Sequence, residues 1–261
     1  IRNYELHKLL LKNLKKSKFI KFKKNFDIDK KKYKLVINAD STHPFGKKFF
    51  SKKIVKDYNS YAYTTKIVHK KIKNNTAFQI FTKNGPIAFL PISDSETSIV
   101  YSFKSPIKKN FYEMNDFVKR YNPIYLIKKI YSWNSFKLKS SSLRNYYFGN
   151  ILAFGDLLHK IHPLAGQGFN MSLRDIKLLS DLVDKKIYLG LDLDISLCQE
   201  FQKKSQSKNF IFLSGIDLVY ELFNLESKIT SNILNKSINF IGNNKLVNTF
   251  LKNFADSGIR Y

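Results

Sequence analysis

The sequence predicts an α/β fold whose core is interrupted by an inserted antiparallel sheet, and three observations carry that prediction. Two short apolar runs far apart in the chain, YKLVIN (Tyr33 to Asn38) and NILAF (Asn150 to Phe154), read as buried strands. Each ends in a turn holding an aspartate, Asp40 and Asp156. Between them several strand-like pieces follow one another directly, and after the second run the pattern turns helical.

The elements justify themselves in order. Leu6, Leu10 and Leu14 recur at four-residue spacing, widened by Leu9 and Leu11 and separated by lysines, so residues 1–16 are expected to form an amphipathic helix docking one face on a core. YKLVIN follows a lysine-rich turn. The pieces YAYTTKIVH, TAFQIFT, IAFLPIS and SIVYSF are punctuated by Asn74-Asn75, Asn84-Gly85-Pro86 and Asp94-Ser95, which predicts an antiparallel sheet over about 58–103. Residues 111–132 read as helical with a break at Pro123, and LKSSSLRNYYFGN leads back to NILAF. Met171, Leu173, Ile176, Leu179, Leu182 and Val183 mark a helix over 169–183. Further helices are expected at 197–214 and along the core-facing stripe Leu218, Leu222, Leu225, Ile229 and Ile233. The parts are interleaved rather than strung along the chain, with expected divisions at 1–56, 57–145, 146–190 and 191–261.

Composition narrows the class. The chain has 261 residues with 43% hydrophobic and 15% aromatic content, enough for a packed core and too apolar for disorder. Cys198 stands alone, so neither an internal disulfide nor a cysteine-based zinc site is available. No apolar run is long enough to span a bilayer. The formal charge of +26 comes almost wholly from lysine, with five arginines, whereas base and phosphate recognition favours the arginine fork. No nucleic-acid partner is expected. Residues 1–56 hold eighteen basic and four acidic side chains, a face that suits solvent or an anionic lipid surface.

The stretch that carries chemistry is NILAFGDLLHKIHPLAGQGFNMSLRD, Asn150 to Asp175. It reads as a strand, a Gly155-Asp156 turn, a loop held by Pro163, and a Gly166-Gln167-Gly168 entry to a helix. Glycines let backbone approach a flat or anionic ligand, and the free N–H groups of a helix start donate to oxygen. Asp156 at a strand end is suited to bonding the hydroxyls of a ribose or ribityl chain. His159 and His162 stand three apart without a third ligand cluster, so no metal site is expected. His43 reads as a turn residue, His69 as a strand residue, and Trp133 and Cys198 as packing residues.

Gly155-Asp156, His162-Pro163, Gly166-Gln167-Gly168, Asn170 and Arg174-Asp175 together resemble the second flavin-binding motif of the class A flavoprotein monooxygenases, the para-hydroxybenzoate hydroxylase-like fold. The resemblance is specific to the ubiquinone-biosynthesis hydroxylase branch, whose form reads GDAAHxxHPLAGQGxNxGxxD. AFQIFTKNGPIAFLPISD (Ala77 to Asp94) resembles that branch's substrate-domain strand pair, and IRNYELHKLLL the helix before its middle region. The family opens with a G-x-G-x-x-G unit absent from this sequence. The resemblance therefore implies an incomplete FAD-binding Rossmann-like (glutathione reductase-type) domain with an inserted antiparallel β-sheet substrate domain.

Carried over by position, Asp156 is expected to bond the ribityl chain and Pro163 to present its backbone at the reactive edge of the isoalloxazine. Gly166, Gln167, Gly168, Phe169 and Asn170 are expected against the pyrimidine end. Asp40 falls where the family has Asp-Gly in a motif touching both FAD and NAD(P)H; here Ser41 follows it. The implied reaction is reduction of FAD by NAD(P)H, reaction with dioxygen and transfer of one oxygen atom to a lipid-like phenolic ring. The branch implies a cytoplasmic enzyme with peripheral contact at the inner membrane or within a biosynthetic complex. The sequence names no catalytic base among its 15 tyrosines. Two other readings stay open: a flavoprotein hydroxylase of a soluble aromatic, and a basic lipid- or nucleic-acid-binding protein in which the motif is a relic.

Overall fold

The computed structural model describes residues 3–23, 33–105, 109–161 and 167–226. Helix α1 (Asn3–Leu14) forms where the leucine spacing predicts it. It does not bury one face as expected: Leu9, Leu10 and Leu14 are exposed, and only Leu6 and Leu11 reach half burial. The amphipathic pattern makes the helix, but none of the described core clusters draws a side chain from it.

Strand β1 (Val36–Asn38) leads into the short helix α2 (Pro44–Phe49), with proline at its first position and His43 capping it by accepting from the Phe45 N–H at 3.2 Å. The chain then enters the long strand β2 (Lys53–His69) and the hairpin series β3 (Phe78–Thr82), β4 (Gly85–Ser93) and β5 (Glu96–Lys104). Helix α3 (Phe111–Arg120) is capped by Asn110, whose side chain accepts from the Tyr112 N–H.

The expected helix over 111–132 ends at Arg120, and Ile127–Ile130 is instead a strand, β6, paired with β2. Asn122 closes the turn before Tyr125 with two side-chain bonds, and Pro123 cannot continue a helix. Strand β7 (Asn134–Leu143) occupies the serine-rich run that sequence leaves unassigned. Its alternation is polar enough to hide the strand, yet Leu138 and Leu143 are buried.

β8 (Tyr147–Phe148) and β9 (Ile151–Ala153) follow, then a 3-10 turn (Gly155–Leu157) and β10 (His159–Lys160). Helix α4 (Gln167–Tyr188) and the 32-residue α5 (Ile195–Glu226) complete the described chain. Helix α5 runs unbroken through Gly215, where sequence suggests two helices; its cost of roughly 1 kcal/mol is met by flanking Phe212, Ile216 and Tyr220, all buried. Of the expected stripe, Leu218 is exposed, while the side chains of Leu222 and Leu225, and Ile229 and Ile233 entirely, lie outside the described residues.

Two sheets organise the fold. In the small one β1 and β9 are parallel, Asn38 opposite Ala153, and β8 flanks β9. In the large antiparallel one the order is β10-β7-β2-β5-β4-β3, with β6 also on β2. α3 closes one face of the large sheet by burying Met114 and Val118 against Tyr63, Ile67, Ile99 and Tyr101. On β2 and β7 a separate cluster joins Tyr58, Ala62 and Leu138 to Tyr220 of α5. The small sheet packs on α4 and α5 through Leu152, Leu158, Leu179, Leu182, Leu197 and Phe201. Among the described residues, no helix is long and apolar enough to cross a membrane.

Candidate functional site

Because β1 and β9 are parallel and end in register, the chain leaves both strands at the same edge of the sheet. The Phe154 N–H donates to the Asn38 carbonyl at 2.9 Å, the last rung before the strands part. Asp40 follows two residues beyond that rung on one side, and Gly155-Asp156 on the other. Crevices at the carboxyl ends of parallel strands are where α/β sheets take ligands.

The two aspartates differ in surroundings. Asp40 Oδ1 accepts from the Thr42 N–H at 2.8 Å and the Thr42 hydroxyl at 2.7 Å, and these bonds hold its carboxyl below the usual range. Asp156 is exposed at the second position of the 3-10 turn. Gly155 before it has φ +58, a left-handed conformation that a side chain resists, and the space where a Cβ would stand is open to 4 Å. Asn38, at the end of β1, is 93% buried; its Oδ1 accepts from the Asp40 N–H at 3.1 Å, while its Nδ2 has no partner. A buried amide left unmatched costs about 1–3 kcal/mol, which marks this strand end as a place arranged for something other than packing.

Of the residues expected at the site, Pro163 and Gly166 lie outside the described residues, as does His162. Gln167, Gly168, Phe169 and Asn170 form the first turn of α4. A Cβ on Gly168 would stand 3.5 Å from the Ile161 side chain, so this glycine faces the end of β10 in ordinary contact. Phe169 is 59% exposed, and with Leu173 and Ile176 it forms an exposed apolar stripe on the helix that their spacing predicts. The apolar residues buried on α4 are Met171, Leu179 and Leu182, joined by the polar Asp175 and Lys186.

His159 is buried and bonds Asp175, a residue of the same motif, at 2.5 Å. Their pairing is missed by sequence reasoning; the signal available was a histidine on a strand and an aspartate inside an otherwise apolar helix face. His69 is also structural, held by the Lys70 carbonyl and the Thr97 hydroxyl. Trp133 and Cys198 are buried, and burial raises the Cys198 thiol to about 11.

A family profile described as FAD binding domain matches residues 115–184, a range that includes Asp156 and the start of α4. The mitochondrial ubiquinone biosynthesis monooxygenase COQ6 of Dictyostelium discoideum is 28% identical over 206 residues, covering 64% of this chain and 42% of that protein. The 3-demethoxyubiquinol 3-hydroxylase of Escherichia coli is 30% identical over 174 residues, covering 62% and 44%. Among solved structures, the p-nitrophenol 4-monooxygenase PnpA of Pseudomonas putida superposes with TM-score 0.64 at 14% identity, over 87% of this chain and 60% of that one. CabE, an aromatic hydroxylase from angucycline biosynthesis, gives 0.64 at 16% over 87% and 47%.

The fold is thus one shared with flavoprotein hydroxylases of solved structure, and residues 115–184 match a FAD binding domain. In sequence the chain is similar to ubiquinone-biosynthesis monooxygenases. It spans about half the length of the curated relatives it matches.

Proposed function

We propose that the chain is part of an FAD-dependent monooxygenase that hydroxylates a polyprenyl-phenol ring in ubiquinone biosynthesis, with NAD(P)H and dioxygen as co-substrates. The observation that carries it is the pairing of β1 with β9, which sets Asp40, Gly155 and Asp156 at one strand edge beside an unmatched buried amide on Asn38. These residues fit a flavin nucleotide. Asp156 supplies an exposed acceptor for ribityl hydroxyls, open space at Gly155 admits a close approach, and the N–H groups of residues 167–170 donate from the start of α4. Bound FAD supplies electron transfer from NAD(P)H and activation of dioxygen.

The chain's own residues bind, orient and exclude water. The positive end of α4 favours negative charge on a ring placed there. We read the small sheet with α4 and α5 as the cofactor side, and the large sheet with α3 as the substrate side. Pro163 and Gly166 complete the cofactor side in this reading. A lipid-like phenol also suits the exposed segment from α1 onward, where Leu9, Leu10, Leu14, Phe19 and Phe22 alternate with Lys8, Lys12, Lys15, Lys18 and Lys21, a composition fit for an anionic membrane surface.

The test is direct. The full-length protein titrated with FAD should quench flavin fluorescence saturably, and the loaded protein should oxidise NADH or NADPH faster when a polyprenyl phenol is added, yielding the hydroxylated ring. A soluble phenol accelerating equally well would favour the soluble-aromatic reading. A chain that ignores FAD yet binds polyanions with steep salt dependence would favour the relic-motif reading.

A further inference from the structure

The motif segment contains a buried ionisable array that the proposed chemistry leaves unused. His159 on β10 and Asp175 on α4, each 3% exposed, meet through Nε2 and Oδ2 at 2.5 Å. The second oxygen, Oδ1, accepts from Asn209 Nδ2 of α5 at 3.2 Å, and Asn209 is itself buried. Tyr146, 1% exposed, stands beside it, its phenol influenced by Asn209, Asp175 and Ser142. Three elements, β10, α4 and α5, therefore converge on one carboxylate.

Stability alone does not explain such an array. Apolar side chains of equal volume usually stabilise a core as well or better than a buried charge pair. What a charge-assisted hydrogen bond adds is direction, since it fixes both a distance and an angle. The contacts around it lack that property: Ile161, Met171, Phe212 and Ile216 form an apolar cluster, and the Arg174 guanidinium lies over the Phe212 ring at 4.1 Å. Sliding α4 by one residue would shift its first turn by about 1.5 Å and rotate it by about 100° while keeping apolar cover. It would break the His159–Asp175 bond.

We propose that His159, Asp175 and Asn209 act as positioning residues for the flavin site, fixing the first turn of α4 against the strand edge that carries Gly155 and Asp156. The chain order supports this: His159 is three residues after Asp156, and Asp175 five after Asn170. One bond thus locks the seat of both halves of the motif. The inference rests on the flavin reading above, deepening it to residues that touch no cofactor.

The experiment uses the full chain with three variants: His159→Leu removes the donor and keeps the bulk, His159→Gln restores an amide donor, and Asn209→Leu removes the second partner. Two readouts are taken, the FAD dissociation constant by fluorescence quenching, and hydrogen exchange of residues 167–173 without flavin. His159→Leu should weaken FAD binding about tenfold or more and speed exchange in that turn, leaving β5 protected; His159→Gln should recover most of both. Parent-like affinity and exchange in His159→Leu would overturn the positioning role while leaving the flavin reading intact. Equal losses in the Gln and Leu variants would overturn it too. If His159→Leu does not fold, Asn209→Leu decides, parent-like behaviour counting against the proposal. A full-length parent, the protein in which all three variants are made, that never binds FAD would sink the flavin reading, and this inference with it.

Discussion

Tyr58 of β2 donates its hydroxyl to Asp217 of α5, tying the large sheet to the long helix between residues 159 positions apart. The contact is reinforced by the edge-on packing of Tyr58 against Tyr220 and by Lys56, whose ammonium lies 3.6 Å from Asp217 and 3.1 Å from Glu221. Burial first, and then the adjoining carboxylate, raise the Tyr58 phenol far above its ordinary value, so it stays a donor at all physiological pH. Tyr58→Phe should lower stability by about 1 kcal/mol. A double-mutant cycle with Asp217→Asn, measured by urea unfolding, should return a coupling of about 0.5–1.5 kcal/mol.

Alkaline stability should fall in two overlapping steps. Burial lifts the Cys198 thiol from 9.0 to about 11 and the Tyr146 phenol from 10.0 to about 12. The unfolded chain releases both protons first, so the advantage of keeping them neutral is complete below the unfolded values and is lost as pH rises toward the folded ones. Urea midpoints should therefore decline across pH 9.0 to about 12. Tyr146→Phe should flatten the upper part of that decline.

Two glycines with positive φ should lose stability unequally on change to alanine. At Gly85, φ +124, a Cβ would stand 2.0 Å from the Ser102 carbonyl oxygen, so β4 and β5 must separate and the loss should be about 3 kcal/mol or more. At Gly155, φ +58, the space is open and the cost is backbone strain alone, about 1–2 kcal/mol. Thermal melts of the two variants give the comparison.

Asp156→Ala should leave stability within about 0.5 kcal/mol, since the side chain is exposed, while weakening FAD binding about tenfold. Fluorescence titration alongside urea unfolding separates the two effects. Unchanged affinity would remove Asp156 from the site.

The segment from α1 to Phe22 should cosediment with vesicles rich in anionic lipid and not with neutral ones. Binding should weaken with salt, and by roughly 1 kcal/mol for each of Lys8, Lys12 and Lys15 replaced by glutamine. Leu10→Ser with Leu14→Ser should reduce it at every salt concentration, because the apolar contribution is not screened.

Phe201→Ala should cost about 3–5 kcal/mol, for the ring is fully buried against Tyr146 and Phe154. Phe154 directly precedes Gly155, so the same cavity should loosen the strand end, seen as faster exchange at residues 154–157 than in β5.

Much of the local backbone at the candidate site was legible because its determinants are local. Gly155-Asp156 and the entry to α4 announce themselves by residue type, since only certain residues tolerate those turns. The hairpins of β3, β4 and β5 were equally plain from alternation broken by Asn84-Gly85-Pro86 and Asp94-Ser95. β7 was not, because its buried positions include Ser140 and its apolar residues are sparse; it is a strand because β2 lies beside it.

The sequence by itself determined that two short apolar runs end on aspartates, that a glycine-rich turn opens a helix, and that a sheet lies between them, because chain stiffness and side-chain period act over a few residues. Only the tertiary structure decided that Asn38 stands opposite Ala153, that Asn38 Nδ2 is left unmatched, and that His159, Asp175 and Asn209 share one buried carboxylate. Those relationships join residues many positions apart. They are set by which apolar faces pack together, a choice that non-directional burial makes over the whole chain and no local pattern records.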